Sequence, residues 1–249
     1  MSGYVIHENS VESLREEDDT AATKVTIDER SGCDQLVQRV VRFAPGRSKE
    51  RAAPGREEVL FVAAGAGTLV LEGAEYPLEP DTGVYVRPGE RYAVENPGRD
   101  ELVLVSVLAP EPEGAAANGD RKVTVRAADM PLEPAGKDRE FRYVINSDAG
   151  CREVTQFVGK IPPGRAKTHY HLYDEVIYIL EGEGLLHLEG QKDTPIAAGS
   201  CIHLPPPQPH CLEDTGKGWL RVLGVFHPSG SPAEAYNLPI TGEQQGGST

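Results

Sequence analysis

The sequence predicts an all-β protein in which one domain is written twice. Three observations carry this reading. Short apolar runs alternate with glycine- and proline-rich turns, at a spacing of about 8–12 residues that suits a β-sandwich or barrel. No long amphipathic helical pattern occurs, although 20 Pro and 27 Gly supply many turns. The second half of the chain repeats the first, block by block and in the same order. A chain of 249 residues has room for two domains of ordinary size.

The repeat starts with "SGCDQLVQRVVRFAPGR" (31–47) beside "AGCREVTQFVGKIPPGR" (149–165), where Gly32, Cys33, Gln38, Pro45, Gly46 and Arg47 recur 118 residues later. The offset falls to 117 for "EEVLFVAAGAGTLVLEG" against "DEVIYILEGEGLLHLEG" and returns to 118 for the blocks that follow. The predicted units are residues 1–112, a linker at 113–118, residues 119–232 and a tail at 233–249. The seam around "EPEGAAANGD" is small, polar and aperiodic, as a linker should be.

Each copy divides into the same strands. Gln35–Phe43 and Val154–Ile161 come first. Val59–Ala63 and Val176–Leu180 follow, each ending at a glycine turn. Then come Thr68–Leu71 and Leu185–Leu188, Gly83–Val86 and Cys201–Leu204, and Leu102–Leu108 and Leu220–Phe226. A short helix is expected at Ser10–Glu17.

Composition narrows the partners. The net charge of −14 repels phosphate backbones and anionic lipid heads, so neither nucleic acid nor membrane is an expected partner. No apolar run is long enough to span a bilayer, and the acidic N-terminal segment does not read as a signal peptide, so a cytoplasmic protein is expected. Cys33, Cys151, Cys201 and Cys211 form no CxxC pair and are expected to be free buried thiols. A small-molecule substrate is the expected ligand, and a homodimer is compatible with barrels that expose sheet edges.

The stretch "KTHYHLYDEVIYILEGEG" (167–184) holds the chemistry. In a strand, residues i and i+2 face the same way about 6.6 Å apart, so His169 and His171 can converge on one ion. Glu175 joins them only if Leu172–Asp174 turns the chain back, because a straight strand would carry it roughly 13 Å away. A fourth ligand must come from afar, and "GSCIHLPPPQPHCLED" (199–214) offers His210.

Gly164, His169, His171, Glu175 and Gly182 in one block, then Gly199, Pro205 and His210 in another, resemble the cupin family and its motifs G-x5-HxH-x3,4-E-x6-G and G-x5-PxG-x2-H-x3-N. The resemblance covers both halves, as in a bicupin. Gly164 lies one residue closer to His169 than the pattern asks, and Pro207 and Asp214 stand where the second motif has glycine and asparagine. The resemblance implies two double-stranded β-helix (jelly-roll) barrels in tandem. It also implies one divalent metal held by His169, His171, Glu175 and His210 in the second barrel. Three imidazoles and a carboxylate leave open positions in an octahedron, which suits Fe, Mn, Ni or Co better than Zn.

The first copy lacks this set. Glu58 aligns with Glu175, Arg51–Pro54 covers the histidine positions without a histidine, and Tyr92 replaces His210. No metal is expected there. A metal-free pocket lined by Arg51, Arg56, Glu58 and Tyr92 is the alternative to a pure scaffold.

Candidates for an acid or base beside the metal are His187, His203 and Glu213. By alternation, Ile177 and Ile179 wall the pocket while Tyr178 and Cys211 face away from it. Tyr170 and Tyr173 flank the ligands and either gate or pack. Gln38 and Gln156 mirror each other and suit a role in the fold, while His7 and His227 suit structural or surface positions. The family's chemistry implies an oxidoreductase of dioxygenase type, like the quercetinases or the oxalate enzymes. Ureidoglycine aminohydrolases are bicupins of similar size with a different ligand pattern. The alternatives are a non-redox isomerase, lyase or hydrolase, or a metal-containing ligand-binding sensor without turnover.

Overall fold

A computed structural model describes residues 3–111, 120–136 and 139–234. The linker at 113–118 and the tail beyond 234 lie outside the described residues. Among the described residues the regular structure is strand, apart from four single-turn 3-10 helices. None of its helices is long and apolar enough to cross a membrane.

Each half folds as a seven-stranded sheet facing a four-stranded one. In the first half the large sheet runs Thr124–Arg126, Thr82–Val86, Arg56–Ala64, Leu102–Pro110, Val37–Phe43, Ala21–Ile27, Leu14–Arg15. In the second it runs Tyr4–His7, Ser200–Leu204, Asp174–Glu181, Leu220–His227, Thr155–Ile161, Arg139–Ile145, Glu133–Ala135. The paired strands with an assigned register are antiparallel, and the two halves have the same order.

The predicted strands are all present, most of them a residue or two longer than their apolar runs. Sequence reasoning missed Ala21–Ile27 and its counterpart Arg139–Ile145, because "AATKVTI" and "REFRYVI" mix charged and apolar residues. The helix expected at Ser10–Glu17 does not form. A 3-10 turn at Glu8–Ser10 precedes a two-residue strand, Leu14–Arg15, that pairs with Thr23 and Ala22. Leu14 is 60% exposed, so this segment has no apolar face to bury and no packing to pay for a helix.

Among the described residues, alternation sorts the central strands into three large cores, with a smaller cluster of Ala135, Phe141, Phe157 and Phe226 beside the second barrel's interior. Leu60, Val62, Leu102 and Leu104 point into the first barrel. Their counterparts Ile177, Ile179, Leu220 and Val222 fill the second. The intervening residues, Val59, Phe61, Val103 and Val105 from one half and Val176, Tyr178, Leu223 and Val225 from the other, form a single core between the two large sheets. Runs such as "VLFV" and "VIYI" are therefore apolar at every position because both faces are buried. Gly83 permits the close approach: a Cβ there would stand 2.3 Å from Val144 Cγ1 and 2.6 Å from Gln156 Oε1. Gln156, fully buried, donates from Nε2 across the interface to Leu60 O at 3.4 Å, and Gln38 Oε1 accepts from Thr26 Oγ1 at 3.1 Å.

The halves also exchange edge strands. Tyr4–His7 pairs with Ser200–Leu204 of the second barrel, and Thr124–Arg126 pairs with Thr82–Val86 of the first. Each barrel thus covers an edge that its sister would otherwise leave open. Glu8, 5% exposed, locks the first exchange: its Oε1 accepts from Arg42 at 2.9 Å and from Tyr178 Oη at 3.1 Å. His7 bonds Ala198 O through Nε2 at 3.0 Å, and His227 Nδ1 meets Glu153 O at 3.1 Å, so both histidines hold loops. All four cysteines are free and buried.

Removing residues 1–9 strips the Ser200–Leu204 edge of its partner and leaves Arg42 and Tyr178 without Glu8. A net loss of about 2 kcal/mol or more corresponds to a fall of at least about 4 °C in Tm for a chain of this size. A calorimetric scan of the truncated chain measures it, and an unchanged Tm would show that the exchanged strand carries no weight.

Candidate metal centre

His169 does not sit in a regular strand, as the i,i+2 argument assumed. It forms an isolated bridge with His210, each backbone N–H donating to the other's carbonyl at 3.0 and 2.8 Å. This two-way pair ties the loop at 166–173 to the start of the strand His210–Asp214. Bends at Leu172 and Tyr173 then turn the chain back, and Glu175 enters the strand Asp174–Glu181 facing inward. The four side chains expected at the site are brought together.

The histidine nitrogens of His169, His171 and His210 lie within 4.8 Å of one another. Glu175 Oε2 approaches His171 Nε2 to 3.1 Å and His210 Nε2 to 3.8 Å, yet accepts no hydrogen bond. His171, Glu175 and His210 are each at most 4% exposed. A buried carboxylate oxygen crowded by two imidazole nitrogens, with no proton directed between them, is an arrangement that a cation completes.

The rings are prepared for that role. His169 Nδ1 meets Lys167 O at 3.1 Å and His210 Nδ1 meets Gln208 O at 2.9 Å. A carbonyl partner assigns the proton to Nδ1, so Nε2 carries the lone pair. Burial, reinforced by the neighbouring imidazoles, holds both histidines at a pKa of about 3. They are neutral at pH 7, the protonation state of a metal ligand. Tyr173 stacks on His171 at 5.1 Å and 23° and donates its hydroxyl to Ser231 O at 2.9 Å. Tyr173 is therefore a packing residue that steadies His171.

A cavity of about 70 Å³ opens beside these side chains. Its wall is apolar, from Ile161, Ile177, Leu212, Val222, Phe157 and Phe226; Arg139 reaches it from the inward face of its strand, while Glu140 and Lys160 border it from positions of the opposite parity, with Lys160 Nζ 6.0 Å from the Trp219 ring centroid. Ile177 takes its place in the wall as alternation predicts, while Tyr178 lies in the core between the barrels. Sequence reasoning missed Arg139, Glu140 and Lys160. Their signal was the 118-residue repeat itself, which places Arg139 and Glu140 opposite Ala21 and Ala22 at the start of a strand.

The three candidate acid–base residues are elsewhere. His187 and Glu213 lie on neighbouring strands with their side chains away from the barrel interior. His187 Nε2 meets Glu213 Oε2 at 2.8 Å, and Nδ1 meets Asp193 Oδ1 at 2.7 Å. Their inward neighbours Leu186, Leu188 and Leu212 took the core, and alternation did the rest. His203 faces the interface between the halves, where Nε2 meets Asp174 Oδ1 at 2.8 Å and Cys33 completes a buried cluster. None of the three lines the cavity.

In the first barrel the corresponding positions are held by Arg51, Ala53, Glu58 and Tyr92, and Arg51 bridges Tyr92 as His169 bridges His210. The first barrel also has a cavity at these positions, but Arg56 does not line it; Arg56 donates to Gln35 O at 3.2 Å.

Comparison with known proteins agrees with this architecture. The family described as "Cupin domain" matches twice, at residues 39–108 and 157–226. An uncharacterized protein of Methanocaldococcus jannaschii, MJ1618, is 37% identical over 71 residues, which are 27% of this chain and 56% of that protein. The chain thus spans about half the length of that curated relative. Among solved structures, a putative glyoxylate-induced protein from Pseudomonas aeruginosa superposes with a TM-score of 0.77 at 19% identity, covering 92% of this chain and 91% of that one. Protein YlbA of E. coli gives 0.77 at 13% identity over 92% and 93%. An oxalate decarboxylase variant from Bacillus subtilis gives 0.74 at 11% over 92% and 78%. At these identities the structural likeness speaks for the fold. With the family matched in both halves and bicupins among its structural neighbours, this chain belongs to the cupin family and is a bicupin.

Proposed function

We propose that the protein is a metal-dependent enzyme for a small organic acid, an oxidoreductase of dioxygenase type, with one divalent ion held by His169, His171, Glu175 and His210. The observation that carries this reading is the buried Glu175 Oε2, 3.1 Å from one imidazole Nε2 and 3.8 Å from another without a hydrogen bond. Such an ion, when bound, supplies a Lewis acid for a substrate oxygen and, if redox-active, an electron relay for dioxygen.

The chain's own residues supply the rest. Ile161, Ile177, Leu212 and Val222 exclude water, which strengthens every charge interaction inside. Arg139, on the inward face of its strand with Phe141, favours an anion entering the cavity, against the net charge of −14 on the whole chain. A cavity of about 70 Å³ favours acids of a few heavy atoms over flavonols. That preference accords with the oxalate decarboxylases among the structural neighbours.

The positions of His187, His203 and Glu213 away from the cavity favour one second reading, a metal-containing protein that binds its ligand with little turnover. Oxygen consumption or product formation separates the two.

Elemental analysis of the purified chain should find about one transition metal per chain. His169→Ala or His210→Ala should each retain less than about a tenth of it, since a buried site with three ligands loses most of its affinity. Glu58→Gln should leave the content unchanged; a drop would reveal a second metal in the first barrel. If both histidine variants keep their metal, the ligand assignment is wrong.

Protein reconstituted separately with Fe(II), Mn(II), Ni(II) and Co(II) should consume oxygen with at least one small organic acid, oxalate and enediol acids included. Arg139→Met should raise KM for that acid about tenfold with little change in kcat, because it removes an interaction shared by ground and transition states. Silence in the oxygen electrode under all four metals removes the oxidoreductase reading.

A further inference from the structure

The first barrel is not simply a blank copy. At the place of its sister's metal centre it encloses a cavity of about 250 Å³ lined by charged and polar groups. Arg39 reaches it from the strand Val37–Phe43, on the same face as Val41 and Phe43, which belong to the barrel's inner core. Arg39 pairs across the sheet with Ser106. The matching pair in the second barrel is Phe157 and Gly224. A guanidinium over a serine thus stands where the sister has an aromatic ring over a glycine.

Three cations at this cavity are held in direct ion pairs, and Arg39 is not. At the rim Lys49 pairs with Glu16 at 3.7 Å, and Glu50 with Arg91 at 2.6 Å. Inside, Arg51 Nη2 meets Asp19 Oδ2 at 2.8 Å. Asp19 Oδ1 is already taken by the backbone N–H groups of Ala21 and Lys49, both at 3.1 Å. Glu58 accepts from Tyr92 Oη at 3.1 and 3.2 Å and from Ser106 Oγ. The Arg39 side chain makes no direct hydrogen bond or ion pair among the described residues; its charge acts on Glu58 and Tyr92 from a distance, and its Nε is buried without a partner, as is Nε of Arg51. Burial also pushes the Glu58 carboxyl above its ordinary pKa, toward the neutral form. An unpartnered guanidinium facing a cavity costs free energy that an anion would recover.

We propose that the first barrel binds a small carboxylate-bearing molecule, independently of any metal, with Arg39 and Arg51 holding the carboxylate. The guanidinium fork matches a planar carboxylate in two parallel hydrogen bonds. One carboxylate is balanced by Arg39, whereas a phosphate dianion would bring a second negative charge beside Asp19, whose own cation, Arg51, is already paired. The site takes no part in the reaction assigned to the second barrel, and neither assignment depends on the other.

The test uses the full-length protein stripped of metal by a chelator, and repeats it with His210→Ala to remove the second barrel from consideration. Acetate, pyruvate, malonate and inorganic phosphate are titrated by calorimetry. At least one carboxylate should bind in both proteins, and phosphate should bind at least about tenfold more weakly. Arg39→Met should weaken the carboxylate about tenfold or more, and Arg39→Lys should weaken it less, since the charge stays and the fork is lost. Metal content in reconstituted Arg39→Met reports whether the second barrel remains intact. If that variant does not fold, Arg39→Lys and Arg51→Lys decide, and unchanged affinity in both overturns the proposal. Absence of carboxylate binding to the stripped protein, or tighter binding of phosphate, overturns it as well.

Discussion

The architecture depends on two large sheets buried against each other. A jelly-roll sheet alone has one face in the barrel and one in water, and its strands should alternate apolar with polar. Here the central strands are apolar on both faces, because Val59, Phe61, Val176 and Tyr178 meet in a core that belongs to neither barrel. Fully burying a side chain of this size stabilises by about 1.5–3 kcal/mol, so the interface is a large share of the fold's cohesion. The exchanged strands extend the same logic to the edges: Tyr4–His7 completes the second sheet and Thr124–Arg126 the first. Neither half presents a finished domain surface by itself.

This arrangement directs the chemistry to the barrel mouths. With one face of each large sheet committed to the partner, the accessible interior of each barrel is where side chains can change without disturbing the packing between halves. The backbone there is the same in both copies, as the matching bridges Arg51–Tyr92 and His169–His210 show. The side chains are not. One mouth gathers imidazoles around a buried carboxylate, and the other gathers guanidinium groups around Asp19 and Glu58. The interface carries a quieter version of the same divergence. Cys33 lies against Asp174 and His203, while Cys151 lies against Glu57 and Tyr85.

Much of this was legible in the residues. Strand positions followed from apolar runs, the duplication from the 118-residue offset, and the convergence of His169, His171, Glu175 and His210 from a family resemblance that local spacing alone could not supply. What stayed hidden was facing. His187, His203 and Glu213 look like plausible neighbours of a metal in the sequence, but register turns all three away from the cavity. Arg39 was invisible for the opposite reason. In "LVQRVVRF" it reads as a solvent-facing charge, and only the register with Ser106 shows that it points inward. Ala21–Ile27 and Arg139–Ile145 lacked an apolar run because their strands lie toward the sheet margin and are buried only in part.

A copy without the histidine cluster can persist for a physical reason that needs no second site of that kind. Glu8 anchors Tyr178 one residue beyond Ile177 of the cavity wall, and Tyr4 pairs with His203 one residue from Leu204, which itself pairs with Glu175. The first half therefore positions the strand that carries the carboxylate of the second. Substitutions at its interface would loosen that strand, whereas substitutions at its own mouth, such as Arg51 or Tyr92 in place of histidine, leave the interface untouched. The first barrel is held by its sister at one face and released at its mouth, which is the condition for one copy to keep a fold and acquire a different ligand.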